Sequence, residues 1–195
     1  MNYLAHLLLS GNNEKIMVGN FVADWVKGRT FDQYPEDIQR GIVMHRAIDS
    51  FTDLHPLHKH SRSFFVPSYG RFSGIVVDVL YDHFLSMHWN EFSSVDRIRY
   101  IRNAYSIIAK YRRFLPARPK RMLPSMIHHD WVGAYVSMYG LHNVLERMSR
   151  RTALPAFSKD AISILRENYN AIDADFMAFF PELQVYIEAF KQERG

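Results

Sequence analysis

Two stretches place ionisable groups inside apolar helical runs: HRAIDSFTDLH at residues 45–55 and DVLYDHFL at residues 78–85. On a helix His45, Asp49 and Asp53 stand at i, i+4 and i+8, along one stripe. Asp78 and Asp82 are again i, i+4, and around them sit Ile75, Val76, Val77, Val79, Leu80, Phe84, Leu85 and Trp89. A helix that is apolar on every side is a buried helix. Two carboxylates stacked there repel and lose hydration, at a cost of several kcal/mol per uncompensated ion. Something positive must offset them, and a divalent cation is the economical answer. Imidazole and carboxylate ligands without thiolate suit Mn²⁺, Mg²⁺ or Fe²⁺. His6, in the apolar run Leu4–Leu9, and Asp24, in GNFVADW, have the right type and setting to join. The expected cluster is His6, Asp24, His45, Asp49, Asp78 and Asp82 or His83, converging from four helices. Asp82 and His83 point about 100° apart, so they take different roles, with Asp82 on the face of Asp78.

Ordinary structural roles compete at several positions. A lone His6 on an apolar face reads as a satisfied core histidine, and Asp49 with Arg46, or Asp53 with a lysine, as surface pairs. The dipeptide His129-Asp130 is the pair for which HD hydrolases are named, but it reads as structural, with Asp130 capping a helix start. His55, His58 and His60, in LHPLHKH, read as a solvated loop.

The elements that must position these groups are helical throughout. The pattern predicts helices over Asn2 to Ser10, Glu14 to Val26 with Gly28 as its stop, and Pro35 to Leu54. The last begins with proline and two acids at the positive dipole end. A short helix follows over Leu57 to Phe65, then the most apolar one, Gly74 to Trp89. Ser94 is expected to cap a basic amphipathic helix. Leu115–Pro124, with three prolines, reads as irregular. Trp131 to Met148 resumes helix with a break near Gly140, and helices over Lys159–Phe180 and Glu182–Gln192 meet at Pro181. The fold class is all-α, a single-domain helical bundle.

With 195 residues, 48% hydrophobic and 14% aromatic, the chain suits one domain with a sizeable core. It has no cysteine, hence neither disulfides nor thiolate metal sites. The N-terminal apolar run is too short for a membrane span and lacks a basic lead. A cytoplasmic protein without a membrane anchor is expected. A net charge of +4 and a pI of about 9.3 favour an acidic partner.

The segments MNYLAHLLLS, GNFVADWVKG, GIVMHRAIDSFTDLHP and DVLYDHFLSMHW, in this order, resemble the acyl carrier protein phosphodiesterase family, and the likeness resumes at NVLERMSRR. The resemblance implies an all-α, HD-phosphohydrolase-like fold and dependence on a divalent metal, typically Mn²⁺, with Mg²⁺, Fe²⁺ or Co²⁺ as alternatives. It implies hydrolysis of the phosphodiester joining 4′-phosphopantetheine to a serine of holo-acyl carrier protein. Asp24, His45, Asp49, Asp78, Asp82 and His83 are supported as site residues, with His6 close by.

Residue chemistry and resemblance then suggest roles. The metal takes Asp24, His45, Asp49, Asp78 and His6. His83 protonates the departing oxygen, Asp82 assists, and Arg46 neutralises phosphate charge. The run KYRRFLPARPKR, residues 110–121, offers six cations and no acid, and Arg112, Arg113, Arg118 and Lys120 are its candidate carrier-docking residues. The alternatives are an HD-type hydrolase of a nucleotide or another small phosphodiester, and a helical binding module with a closed structural metal. A nucleic-acid binder is disfavoured, because the cations are not interleaved with exposed aromatics in a recognisable module.

Overall fold

The computed structural model describes residues 1–149 and 158–193, and every regular element among them is helical. In chain order these are α1 (Tyr3–Leu9), α2 (Glu14–Val22), α3 (Glu36–Leu54), α4 (Pro56–Ser63), α5 (Val66–Tyr69), α6 (Ser73–Met87), α7 (Trp89–Phe92), α8 (Arg97–Lys110), α9 (Ala117–His128), α10 (Met138–Ser149), α11 (Ser158–Glu167) and α12 (Tyr169–Glu193). Short 3₁₀ turns link several of them, including Ala23–Trp25, Gly70–Phe72 and Gly133–Val136. One buried apolar cluster runs from Met1 to Ile187. The last two arginines of NVLERMSRR lie outside the described residues.

Helix α6 is the hub. Its residues from Val76 through Ser86 are buried except Asp78, and it packs against α1, α4, α10 and α12. This is what an all-round apolar sequence demands, because no face of it gains from water.

The crossing of α2 and α3 is set by glycine. A Cβ built on Gly19 would lie 2.1 Å from the Ile38 carbonyl oxygen, and one on Gly41 2.2 Å from that of Ile16. Only hydrogen fits at either position, so the two backbones touch. Helix α3 starts after Pro35 with Glu36 and Asp37 in its first turn, and ends at His55 before Pro56. Its range agrees with the expectation from sequence.

Several expectations need correction; the helix expected over Lys159–Phe180, for one, is interrupted at Asn168, between α11 and α12. Residues 117–128 form α9 although Leu115–Pro124 reads as irregular. Pro119 falls in the first turn, where no amide is needed, while the interior Pro124 forfeits one bond. Buried Leu123 and Met126 hold the helix across it. Helix α12 likewise continues through Pro181, because Phe179 and Phe180 before it and Leu183 and Ile187 after it are all in the core. Trp131 to Met148 is not one helix but a 3₁₀ turn followed by α10. Asp96, not Ser94, caps α8, its carboxylate accepting from the Arg99 amide at 2.8 Å.

Alanine at an open helical position is about 1 kcal/mol better than glycine. At Gly19 or Gly41 the sign should reverse. Gly19→Ala is expected to lose about 1–3 kcal/mol, the usual cost of overpacking, in urea denaturation. A variant as stable as the parent would show that the crossing has room to spare.

Candidate metal centre

The Gly19–Gly41 crossing brings the C-terminal half of α2 against the middle of α3, and α1 packs beside them. The side chains that meet there are His6 from α1, Asn20 from α2, Asp24 from the following turn, and His45 and Asp49 from α3. The imidazoles of His6 and His45 stack with centroids 4.0 Å apart. His45 Nε2 lies 3.0 Å from Asp49 Oδ2 and 3.2 Å from Asp24 Oδ1. His6 Nε2 lies 3.2 Å from Asp49 Oδ1, yet among the described residues it has no well-formed hydrogen bond although buried.

Asn20 decides which ring nitrogens face the carboxylates. Its Nδ2 donates to the His6 carbonyl at 2.8 Å and to Ser10 Oγ at 3.0 Å, so its Oδ1 is the atom turned toward the rings. His6 Nδ1 donates to that oxygen at 2.8 Å. His45 Nδ1 donates to the Asn20 carbonyl at 2.9 Å and approaches Oδ1 at 3.1 Å. With both Nδ1 atoms carrying hydrogen, both Nε2 lone pairs point at carboxylate oxygens. Acceptors facing acceptors need a proton or a cation between them. One ligand atom each from His6, His45 and Asp49 lies within 4.8 Å of the others, a grouping able to hold a metal ion. Metal-ligating histidines are ordinarily oriented this way by a partner on the second ring nitrogen. Asn20 escapes sequence reasoning because a neutral amide in an apolar run carries no charge signal.

Electrostatics follow the same geometry. Burial pulls the His45 pKa down, but the carboxylates of Asp24 and Asp49 outweigh it and carry it up to about 9. Burial, aided by the neighbouring His45 charge, holds His6 below its ordinary value, which keeps it neutral and ready to ligate. Burial alone would raise Asp49 and Asp24. The histidine hydrogen bonds reverse this and depress both.

The remaining sequence candidates divide. Asp78 and Asp53 line the same open cleft, of about 600 Å³. Asp78 Oδ1 is taken by the Met1 amine at 3.0 Å and by His58 Nε2 at 3.1 Å. Asp82 is fully buried. Its Oδ2 accepts from the Leu4 amide at 2.7 Å and its Oδ1 from the Ala5 amide at 3.2 Å. Burial pushes its pKa up to about 7, with these amides opposing. The charge expected between Asp78 and Asp82 is thus supplied by an amine, an imidazole and the first-turn amides of α1. Asp82 orients α1, and with it His6. His83 leaves the helix on another side, bonded through Nδ1 to the Tyr135 carbonyl at 2.7 Å and through Nε2 to the Tyr169 hydroxyl at 3.3 Å. Arg46 donates to the Val26 and Gly28 carbonyls at 3.0 and 2.8 Å, bracing the turn that carries Asp24. Neither His83 nor Arg46 lines the cleft.

LHPLHKH is not a solvated loop. It belongs mainly to α4, where His58 is fully buried and reaches Asp78. Asp130 has φ +41° and accepts from the Gly133 amide at 3.1 Å, so it caps a turn, as expected. Of the docking candidates, Arg112, Arg113 and Arg118 are exposed and Lys120 is half-buried. Among the described residues no helix is long and apolar enough to cross a membrane.

An all-helical scaffold thus opens two oriented imidazoles and several carboxylates onto a cleft. The chain belongs to the acyl carrier protein phosphodiesterase family, whose family model matches residues 1–183. Similar acyl carrier protein phosphodiesterases include that of Yersinia pestis, 32% identical over 94% of this chain and 95% of its own length. That of Enterobacter sp. (strain 638) is 35% identical over 95% and 96%. That of Photorhabdus laumondii is 32% identical over 93% and 92%. No solved structure matches the chain.

A pH dependence follows for the chelator-treated protein. The raised His45 contributes stability that is complete below the unfolded value near 6.5 and is lost as pH climbs through about 9. Asp82, also raised, completes its own loss by about pH 7. The Met1 amine, raised despite burial by its pairing with Asp78, adds to the alkaline limb. Between pH 7 and 9 the melting temperature should therefore fall, and fall less in His45→Gln. Equal slopes in parent and variant would show that His45 is not charged at neutral pH without metal.

Proposed function

We propose that this chain hydrolyses the phosphodiester that joins 4′-phosphopantetheine to a carrier-protein serine. Water adds to phosphorus, the bond to the serine oxygen breaks, and apo-acyl carrier protein and 4′-phosphopantetheine leave. The observation that carries this reading is the pair of Nε2 lone pairs, fixed by Asn20 and aimed at Asp49 in an open cleft of a chain from this family. The buried, unbonded His6 Nε2 and the imidazole–carboxylate donor set fit a divalent cation, with Mn²⁺ the first candidate and Mg²⁺, Fe²⁺ or Co²⁺ behind it.

In this proposal His6, His45 and Asp49 hold the cation, with Asp24 beside them. A cation bound there supplies Lewis acidity at the phosphoryl oxygen and lowers the pKa of water toward about 7. Asp78, Met1 and His58 form a charge-compensated wall of the same cleft. Asp82 and Arg46 position the elements that carry His6 and Asp24, and His83 braces α6. The family's substrate is a protein, so the chain needs a docking face as well. Arg112, Arg113, Arg118 and Lys120, with no ion pair among the described residues, form a basic surface suited to an acidic carrier, and a cytoplasmic site of action goes with that substrate.

Mass spectrometry of holo-acyl carrier protein incubated with the enzyme and Mn²⁺ is the direct test, the expected result being loss of the prosthetic group. Cleavage of a nucleotide diester but not of the carrier would replace this reading with the small-substrate one. Asn20→Ala, which frees both rings, should weaken metal affinity about 10–100-fold in a calorimetric titration and reduce carrier cleavage in step. Raising salt should lower kcat/KM for the carrier more than for a small diester, because exposed charges are screened within about 8–10 Å.

A further inference from the structure

The cleft carries two cationic side chains that sequence reasoning passes over. Beside the carboxylates of Asp24, Asp49, Asp53 and Asp78, its lining includes Arg62, from the last turn of α4, and Arg71, from the 70–72 turn. The Met1 amine, the third positive group of the lining, is already paired with Asp78. Among the described residues neither arginine has an ion pair. Arg62 is half-buried, its Nε pointing to Ser73 Oγ at 3.5 Å. Its guanidinium lies over the backbone at Gly74, with Cζ 3.5 Å from the place a Cβ would take. Arg71 is exposed and rests its guanidinium 4.8 Å above the Phe72 ring. Among the described residues no carboxylate is bonded to either one.

Four carboxylates in one cleft ordinarily draw such arginines into ion pairs. Here histidines hold Asp24 and Asp49, and an amine and His58 hold Asp78, while Asp53 is exposed and bonded to neither arginine, so the guanidiniums are left with their charge unspent. A guanidinium presents a rigid planar fork that matches two oxygens of one phosphoryl group. We infer that Arg62, flanked by Arg71, is the phosphate-binding arm of the cleft, taking the non-reacting oxygens of an anionic phosphoester whose phosphorus faces His6, His45 and Asp49. The identity of that phosphoester as the carrier's diester rests on the function proposed above. The arm itself requires only a phosphoryl anion. Its placement also gives Arg62 the charge-neutralising role that the sequence suggests for Arg46, whose Nη2 is held by the Val26 and Gly28 carbonyls and which does not line the cleft.

The experiment compares parent, Arg62→Gln, Arg62→Lys and Arg71→Gln. Three quantities are read: calorimetric binding of 4′-phosphopantetheine and of inorganic phosphate, calorimetric binding of Mn²⁺, and kcat and KM on holo-acyl carrier protein. Arg62→Gln should weaken binding of both phosphoryl probes roughly 10–100-fold, the range for losing a charge-assisted hydrogen bond. Its Mn²⁺ affinity and melting temperature should stay those of the parent. Arg62→Lys keeps the charge and loses the fork, so it should recover part of the binding, and it serves as the readout if the glutamine variant fails to fold. Arg71→Gln should cost less, its charge being exposed. Parent-like phosphoryl binding in a folded Arg62→Gln or Arg62→Lys variant would overturn the inference. If the parent leaves the carrier intact while phosphate binding still depends on Arg62, the arm stands and the carrier-substrate reading falls.

Discussion

Everything at the candidate centre depends on two backbones touching. Gly19 and Gly41 let α2 and α3 approach until neither position can hold a methyl group. That contact sets more than a distance. Asn20 follows Gly19 directly, and His45 stands one turn beyond Gly41, so closing the crossing also fixes the register of amide against imidazole. A helix pair held apart by ordinary side chains would leave the Asn20 carbonyl beyond reach of His45. Packing in this fold is therefore the first step of the chemistry.

The second requirement is to keep a cleft full of acids from destroying the core around it. Three different solutions operate. Asp49 is stabilised by the histidines it faces, Asp78 by an amine and a buried imidazole, and Asp82 by the unsatisfied amides that begin a helix. Only the first leaves the lone pairs of two rings converging on one point. Burial of charge in low dielectric is costly wherever it occurs, but the way each charge is compensated decides which acids remain free to bind something else.

Much of this was legible in the amino-acid order. The apolar wrap of 75–85 announces a central helix, and Pro35 with two acids announces the start of α3. The stripe His45–Asp49 and the isolated His6 and Asp24 do meet in space. What could not be read has a common cause. Pro124 and Pro181 carry the local signal of a break, which nonlocal burial of Leu123, Met126, Phe180 and Leu183 overrides. His58 sits in a polar heptapeptide, and its partner Asp78 is distant in sequence. Asp78 and Asp82 do need a positive counterpart, as their pattern demands. The pattern cannot say that an amine and backbone amides supply it. Neutral Asn20 offers no pattern at all, since its value lies wholly in what it touches.

The shared amide has a consequence for how such a site can change over evolutionary time. One side-chain oxygen and one carbonyl of the same residue hold both imidazoles, so the histidines are not independent characters. Replacing either one takes a donor from a buried Asn20 oxygen, and replacing Asn20 releases both rings together. Drift at any of the three therefore has to pass through a state in which the other two are misfitted. A trio of this kind changes as a unit or stays as it is.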